Sequence, residues 1–440
     1  MLKKILGAIL ATSMLFSTNV LAEEFSTQPM ISSGSTWNLA LKSDGTVWAW
    51  GLNEYGLMAT GTVNYYSRPM QIKQLKNIVQ VDSKSGRGLA LDNNGKVWIW
   101  GGGSGGKELK ISESQLKSNT VARFTTREAT PKMINDISDV KEINCSGGRA
   151  IAVKNDGTVW TWLNEEIDKN KENKVLPIQV KELSDVKSAD IIGVYDEDSY
   201  AAIALKNDGT VWDWGNSKSS YIQRKYIEKE SAPQQISALK DVTKISIGNG
   251  VFLALDKDGT VWSWGNNFLG KLGRDKAPYL MPQKVDDLGK MIDIKAGYRH
   301  CLALNSDGKV YGWGNNTNGE LGKDGMYGRM VKVYKNDYAM FFYSEKPIVI
   351  PNVNNATFIE TGREFSMFIT KDGNILSCGK NGCNQLGRTR TTNIVGNVEN
   401  KDNTLFNLGK SEQGVGFIFS INKKDLWRKL HRSFYVNQVF

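Results

Sequence analysis

The chain has 440 residues, with 56 lysines and arginines against 46 aspartates and glutamates, which gives a formal net charge of +10. It has only two histidines and four cysteines, too few for a histidine-based metal site, a Ser-His-Asp arrangement or a disulfide-dense framework. The basic excess favours anionic partners, but no continuous basic stripe with interleaved aromatics indicates nucleic acid. We therefore expect no catalytic residues, no metal site, no cofactor and no nucleic-acid partner.

Residues 1–22 are predicted to be a secretory signal peptide. Two lysines precede an apolar run from Ile5 to Phe16, and the sequence VLA ending at Ala22 is a suitable cleavage site. The run is too short for a transmembrane helix, and no later stretch approaches one, so we expect no membrane span. Residues 23–29 then form a short linker, and the protein is expected to be secreted or held at the cell surface.

One phrase recurs seven times within residues 30–440: an apolar run, Asp-Gly or Asn-Gly, a valine in most copies, and an aromatic pair one residue apart. The copy from Ala40 to Gly51 reads ALKSDGTVWAWG. The turn glycines, 49 to 65 residues apart, are Gly45, Gly95, Gly157, Gly209, Gly259, Gly308 and Gly373. Each copy predicts a β-hairpin with a type I′ turn, and a fixed period of one such unit indicates a repeat protein.

Eleven of the thirteen tryptophans occupy the aromatic positions of these copies. Alternate residues of a strand point to the same face, so the two tryptophans of one copy share a face. A neighbouring copy can cover that face, and repetition around a ring covers every face, which is the principle of a β-propeller. We therefore interpret the tryptophans as packing between blades rather than as a ladder for stacking sugars.

A second signature, G-x-N-x-x-G-x-L-G, follows the aromatic pair at 265–273 and 314–322, with a related copy, GKNGCNQLG, at 379–387. Upstream, a G-x-x-H-x-x-A-L segment contains His300. Together these patterns resemble the repeat of the regulator of chromosome condensation (RCC1) family. The resemblance implies an all-β, seven-bladed β-propeller over residues 30–440, with a structural role for His300.

The number of blades depends on the last part of the chain. Residues Val415 to Trp427 look like an eighth, eroded hairpin. This hairpin either completes blade 1 by pairing with N-terminal strands, the usual ring closure of the family, or forms an eighth blade. We expect seven blades.

The resemblance also restricts the function. Nuclear members of the family act as exchange factors on a small GTPase or bind chromatin, and the predicted export argues against both roles. Secreted bacterial propellers of the β-lactamase inhibitor protein II type are similar in signal peptide, repeat and size. They imply a monomeric, non-enzymatic module that binds a protein, with an extracellular or cell-wall enzyme as a possible partner. The alternatives are an adhesin for carbohydrate or anionic cell-wall polymer and an extracellular hydrolase or lyase.

The candidate partner surface is the insert from Lys323 to Pro351, which lies in the longest gap between copies. It contains Tyr327, Arg329, Tyr334, Tyr338, Phe341, Phe342 and Tyr343. These residue types are enriched at the centres of protein interfaces. An equal alternative is an extra hairpin or short helix whose aromatics cover the edge of a blade.

The cysteines suggest one disulfide. Cys378 takes the second aromatic position of the last copy and Cys383 follows five residues later, so an oxidising compartment makes a bond between them possible. Cys145 and Cys301 lie in or beside predicted strands and are expected to be buried thiols.

Overall fold

The structure is a computed structural model and describes residues 25–53, 56–59, 66–84, 86–101, 130–146, 148–163, 177–193, 200–215, 231–274, 280–323, 326, 328–334, 337–388, 395–398 and 406–409. These residues form seven antiparallel sheets, each built from consecutive strands. The first strands of successive sheets contact one another, and the first strand of the seventh returns to that of the first. The sheets are therefore the blades of a closed ring, and the prediction of a seven-bladed propeller is confirmed.

The strands of the first four blades are as follows. Blade 1 contains β1 (Met30–Ser33), β2 (Trp37–Leu41), β3 (Val47–Leu52) and β4 (Tyr66–Gln71). Blade 2 contains β5 (Ile78–Asp82), β6 (Gly88–Asp92), β7 (Val97–Trp100) and β8 (Lys132–Met133). Blade 3 contains β9 (Val140–Ser146), β10 (Arg149–Lys154), β11 (Val159–Leu163) and β12 (Ile178–Gln179). Blade 4 contains β13 (Val186–Gly193), β14 (Tyr200–Lys206), β15 (Val211–Gly215) and β16 (Ser231–Gln235).

The last three blades include the one enlarged sheet among those described. Blade 5 contains β17 (Val242–Ile247), β18 (Val251–Asp256), β19 (Val261–Gly265) and β20 (Gln283–Lys284), with a 3-10 turn at Phe268–Gly270. Blade 6 contains β21 (Met291–Ala296), β22 (His300–Asn305), β23 (Val310–Asn315), β24 (Gly328–Tyr334) and β25 (Asp337–Val349). Blade 7 contains β26 (Ala356–Thr361), β27 (Phe365–Thr370), β28 (Ile375–Gly379) and β29 (Gly396–Asn397).

The Asp-Gly turns form hairpins, but not of the predicted type. In blade 1 the Gly45 amide donates to Lys42 O at 3.0 Å and the Lys42 amide donates to Thr46 O at 2.9 Å. Gly45 has a φ of +73°, whereas Asp44 keeps a negative φ. This is a three-residue loop, a type I turn that ends in a left-handed glycine, so the type I′ prediction is wrong. Asp44 favours this turn because its Oδ1 accepts the Thr46 amide at 2.9 Å.

Seven clusters of buried apolar side chains lie between the blades, one at each interface. The second tryptophan of each pair lies in these clusters and is at most 2% exposed: Trp50, Trp100, Trp162, Trp214, Trp264 and Trp313. The first tryptophan is only partly buried and bonds to its own turn, as when Trp48 Nε1 donates to Thr46 Oγ1 at 3.2 Å. Packing between blades is therefore confirmed, most strongly for the second tryptophan.

Blade 1 is built entirely from its own four strands, so the described strands do not close the ring by pairing C-terminal strands into it. The segment from Val415 to Trp427 lies outside the described residues. Closure of the described ring depends on side-chain packing: Trp50 and Phe406 rings lie 5.9 Å apart. The Ser43 amide also donates to Leu408 O at 2.9 Å, which holds the segment after blade 7 against blade 1.

Candidate functional site

The insert forms a protruding hairpin on blade 6. The second half of β25 pairs with β23, from Asn315↔Tyr343 to Tyr311↔Val349, and serves as the fourth strand of the blade. The first half continues beyond that pairing and pairs with β24 instead. Two hydrogen bonds fix the base: the Asn316 amide donates to Phe342 O at 2.7 Å, and the Phe342 amide donates to the side-chain oxygen of Thr317, Oγ1, at 3.2 Å. The predicted alternative of an extra hairpin is thus confirmed.

One face of this hairpin is apolar and exposed. Met330 pairs with Met340, and Phe342 and Tyr338 lie two residues to either side of Met340, so the four residues share a face. Their exposed fractions are 58% for Met330, 49% for Met340, 58% for Tyr338 and 38% for Phe342. We call these four residues the apolar face.

A glycine lets two members of the apolar face lie close to the backbone. Gly328 pairs directly with Phe342. A Cβ atom on Gly328 would lie 2.7 Å from Met340 Sδ and 3.0 Å from Phe342 Cε1, so the two side chains occupy the space that another residue would fill. The apolar face is therefore continuous across β24 and β25.

The opposite face of the hairpin packs on blade 5. The Phe341 ring lies edge-on to Phe268, with centroids 6.0 Å apart. Arg329, which pairs with Phe341 across the hairpin, lies 3.0 Å from Glu345 Oε1 and 3.4 Å from the Tyr343 hydroxyl. The insert thus has one exposed apolar face and one face that packs on blade 5.

Sequence reasoning located the aromatic insert but did not separate the two faces of the hairpin that it forms. Of the predicted residues, Tyr338 and Phe342 lie on the apolar face, whereas Arg329, Phe341 and Tyr343 lie on the packed face. The side chain of Tyr334 and the whole of Tyr327 lie outside the described residues. Met330 and Met340 were missed. Strand alternation around the hairpin turn is the signal that could have found both.

The central channel carries a second feature, which the sequence analysis missed. One equivalent position in the first strand of every blade is polar, and we call these seven residues the polar ring: Ser32, Asp82, Asn144, Asp190, Ser246, Lys295 and Glu360. Most of these side chains form a hydrogen bond with the next blade. For example, Asp82 Oδ2 accepts a hydrogen bond from the Cys145 amide at 2.6 Å. An I-x-x-G pattern marks this position in four of the seven blades: ISSG, ISIG, IKAG and IETG.

Two ion pairs involve residues of the polar ring. Lys84 of blade 2 lies 3.6 Å from Asp190 of blade 4, and Lys295 lies 2.7 Å from Glu360 of blade 7. Burial would lower the pKa of Lys84, but Asp190, Asp82 and Glu360 together raise it above its usual value. Burial raises the pKa of Glu360, and Lys295 opposes that shift. These ion pairs join blades to one another, which is a structural role.

The mouth of the channel is a small cavity of about 70 Å³, with lining residues from all seven blades that include Lys84, Tyr298 and Arg363. Among the described residues, no group of three or more His, Cys, Asp or Glu side chains could hold a metal ion. The same residues include no helix that is long and apolar enough to cross a membrane.

The four cysteines are free thiols, so the predicted disulfide between Cys378 and Cys383 is not formed. The Cys378 side chain is buried against blade 6, with its Sγ 3.3 Å from Glu320 O, where other blades have an indole. Cys383 lies in the following loop, and its amide donates to Gln385 Oε1 at 2.8 Å. Burial raises the pKa of Cys378 to about 12. Cys145 and Cys301 are buried thiols, as predicted.

His300 is fully buried between blades 6 and 7 and bonds to Ser366, which confirms its structural role. Its Nε2 contacts Ser366, whereas its Nδ1 has no hydrogen-bond partner among the described residues.

Two sequence profiles, both described as Regulator of chromosome condensation (RCC1) repeat, match the chain. The first matches residues 242–271, 291–320 and 357–385, and the second matches residues 44–83, 258–304 and 307–369. The chain contains RCC1 repeats. The matched residues lie in blades 1 and 2 and in blades 5 to 7.

Two solved structures of the yeast RCC1 protein Prp20, from Saccharomyces cerevisiae, share the fold. One, described with its binding to Gsp1p and histones, has a TM-score of 0.63 at 21% identity and covers 81% of this chain and 86% of that one. The other, of Prp20 with Kap60 bound, has a TM-score of 0.64 at 20% identity and covers 86% of both chains. At this identity the likeness establishes an RCC1-type propeller fold.

A curated relative is the human E3 ubiquitin-protein ligase HERC2. It is 27% identical over 233 residues, which are 50% of this chain but only 4% of HERC2. The chain thus matches a small part of that much longer protein.

Proposed function

We propose that this chain is a secreted, non-enzymatic propeller that binds a protein through the apolar face of the β24–β25 hairpin. The observation that carries the proposal is the set of four large, exposed apolar side chains on one face of a hairpin whose base is tied to blade 6. Exposed apolar residues that lie together mark interaction sites, whereas isolated ones need no explanation. Tyrosine, phenylalanine and methionine are also the types enriched at interface centres.

The fold supports protein binding as the general role. RCC1 propellers bind proteins, and one of the yeast structures contains the propeller with Kap60 bound to it. The pattern of residues 1–22 supports export, so we propose an extracellular protein partner, with cell-wall enzymes as the first class to test. We propose that the chain acts as a monomer.

Composition of the apolar face favours a protein over a glycan. Tyr338 and Phe342 could stack on sugar rings, but Met330 and Met340 lie between them. Flexible, polarisable methionines suit adaptable protein contacts. In the channel, the carboxylates that an enzyme would need as acid and base are engaged with Lys84 and Lys295. The wall adhesin and the hydrolase or lyase are therefore the weaker alternatives.

The test replaces the two methionines while preserving the shape of the face. Met330→Gln with Met340→Gln should weaken cross-linked capture of a partner from extracellular extracts by at least about tenfold, as expected for truncated interface anchors. The matched control, Met133→Gln with Met281→Gln, changes two exposed methionines of blades 2 and 5 and should bind normally. Unchanged capture by the hairpin variant, or binding to purified wall glycans instead, would contradict the proposal.

A further inference from the structure

The β24–β25 hairpin also presents an open strand edge. In the order β21-β22-β23-β25-β24, strand β24 is outermost, and no described strand pairs with its outer side. It is seven residues long, GRMVKVY, and contains no proline. Its pairing with β25 shifts register only between Lys332 and Tyr334, near the turn. Natural proteins block such edges with prolines, bulges, very short strands or charged side chains, because an open edge accepts another strand. β24 has neither a proline nor a short length, and its two charged residues, Arg329 and Lys332, restrict which strand can pair with it.

The side chains along this edge define what could pair with it. Arg329 and Lys332 are the only charged residues of β24, and both are basic. Met330 and Val331 lie between them. Directly opposite residues of paired strands interact, and opposite charges or apolar pairs are favourable. A complementary strand therefore carries two acids three residues apart with two apolar residues between them, and this pattern reads the same in either strand direction.

Charge argues against a second copy of this chain as the occupant. Antiparallel pairing of two β24 strands with Met330 opposite Val331 would place Arg329 directly opposite Lys332 at both ends of the pair. Like charges directly opposite each other on paired strands are destabilising. The formal net charge of +10 adds repulsion between two copies.

We propose that β24 accepts an extended segment of a partner protein, with an acid-apolar-apolar-acid pattern, as an added strand on blade 6. Backbone hydrogen bonds to the outer edge supply affinity, and the two acids opposite Arg329 and Lys332 supply selectivity. Arg329 is already paired with Glu345, but both side chains are exposed, so the guanidinium can also contact an acid of the added strand. This inference rests on the proposed function, since it specifies how the partner meets the hairpin.

A synthetic peptide tests the inference directly. The peptide TTEVVETT should bind the full chain at least about tenfold more tightly than TTKVVKTT or the reordered TTVEEVTT. Methylating the amides of every second peptide residue should abolish binding in one register and preserve it in the other, because alternate amides of an added strand face β24. Amide hydrogen exchange of residues 328–332 should slow when TTEVVETT binds. Equal binding of both methylated peptides, or of the lysine peptide, would overturn strand addition.

Charge reversal on β24 provides a second readout. Lys332→Glu should weaken TTEVVETT by about tenfold and improve the binding of a peptide with one glutamate replaced by lysine. The control Lys181→Glu, at an exposed position outside blade 6, should change neither. If the protein sediments as a dimer without peptide and the peptide dissociates that dimer, a second copy of the chain occupies the edge. That result would overturn the proposal.

The two proposals fail separately. If the glutamine variant of the apolar face loses its partner but the two methylated peptides bind equally, strand addition is wrong and the proposed function stands. If register-dependent peptide binding is observed while partner capture ignores the glutamine variant, the proposed function alone is wrong.

Discussion

His300 Nε2 lies 2.9 Å from the Ser366 hydroxyl oxygen, across the interface between blades 6 and 7. The same hydroxyl donates to Glu320 O at 2.7 Å, so its single proton is already used. Ser366 must therefore accept a hydrogen bond from His300, which places the ring proton on Nε2 and leaves Nδ1 unprotonated. With Nδ1 buried and unpartnered, burial lowers the pKa of His300 to about 3.

This histidine should make the fold sensitive to acid. Below pH 6.5 an unfolded chain protonates the imidazole, whereas the folded chain does not until the pH approaches 3, so stability is lost as the pH falls through that range. Replacing His300 with glutamine keeps a donor for Ser366 and removes the titration. Between pH 7 and pH 4 the wild type should therefore lose about 3 kcal/mol more unfolding free energy than the variant does. Urea denaturation measures it. His431→Gln is the control, and a pH-independent difference would contradict the assignment.

The indole bonds between blades allow a matched comparison. Trp100 Nε1 donates to Leu57 O of the preceding blade at 2.9 Å, whereas Trp214 Nε1 has no partner among the described residues. Both side chains are at most 2% exposed. Changing either to phenylalanine removes the same volume, but only Trp100→Phe leaves a buried carbonyl without its donor. We expect Trp100→Phe to destabilise the protein by about 1 kcal/mol more than Trp214→Phe. Equal midpoints in urea would show that the bond adds nothing.

The seven-bladed ring could be predicted because one strong turn signal repeats. Asp44 and Gly45 specify a hairpin by local chemistry alone, although the turn type depends on the negative φ of Asp44, which the sequence does not reveal. Burial of Trp50 followed from strand alternation. The two faces of the insert could not be assigned, because the register that pairs Met330 with Met340 depends on how β25 continues from blade 6. The pairing of Lys84 with Asp190 across two blades was similarly invisible, since only ring closure brings them together.

The channel ion pairs should matter far more than those on the surface. Lys84→Met leaves Asp190 and its neighbours as buried carboxylates with less compensation, and should destabilise the fold by about 3 kcal/mol. Burial raises the pKa of Glu360 and Lys84 opposes that shift, so the loss of Lys84 should raise the Glu360 pKa further above that of the unfolded chain. The variant's stability should therefore fall as the pH rises from 5 to 8. Lys257→Met is the control: its pair with Asp241 spans 2.8 Å, and the Lys257 and Asp241 side chains are 61% and 57% exposed. We expect a much smaller loss of stability there, because water and salt screen an exposed pair. Similar urea midpoints for both variants would contradict a structural role for the channel charges.

Cysteine reactivity tests the chemistry of blade 7. Cys383 is partly exposed, whereas Cys145, Cys301 and Cys378 are buried, and burial raises the pKa of Cys301 and Cys378 to about 12. Since the thiolate is the reactive form, the folded protein should react with a thiol reagent rapidly at Cys383 alone. The other three should react only after unfolding in urea, and Cys383→Ser should abolish the rapid phase. Two observations together would show that Cys378 and Cys383 form a disulfide. The folded protein would have no rapid phase, and the unfolded protein would expose only two reactive thiols until a reductant is added.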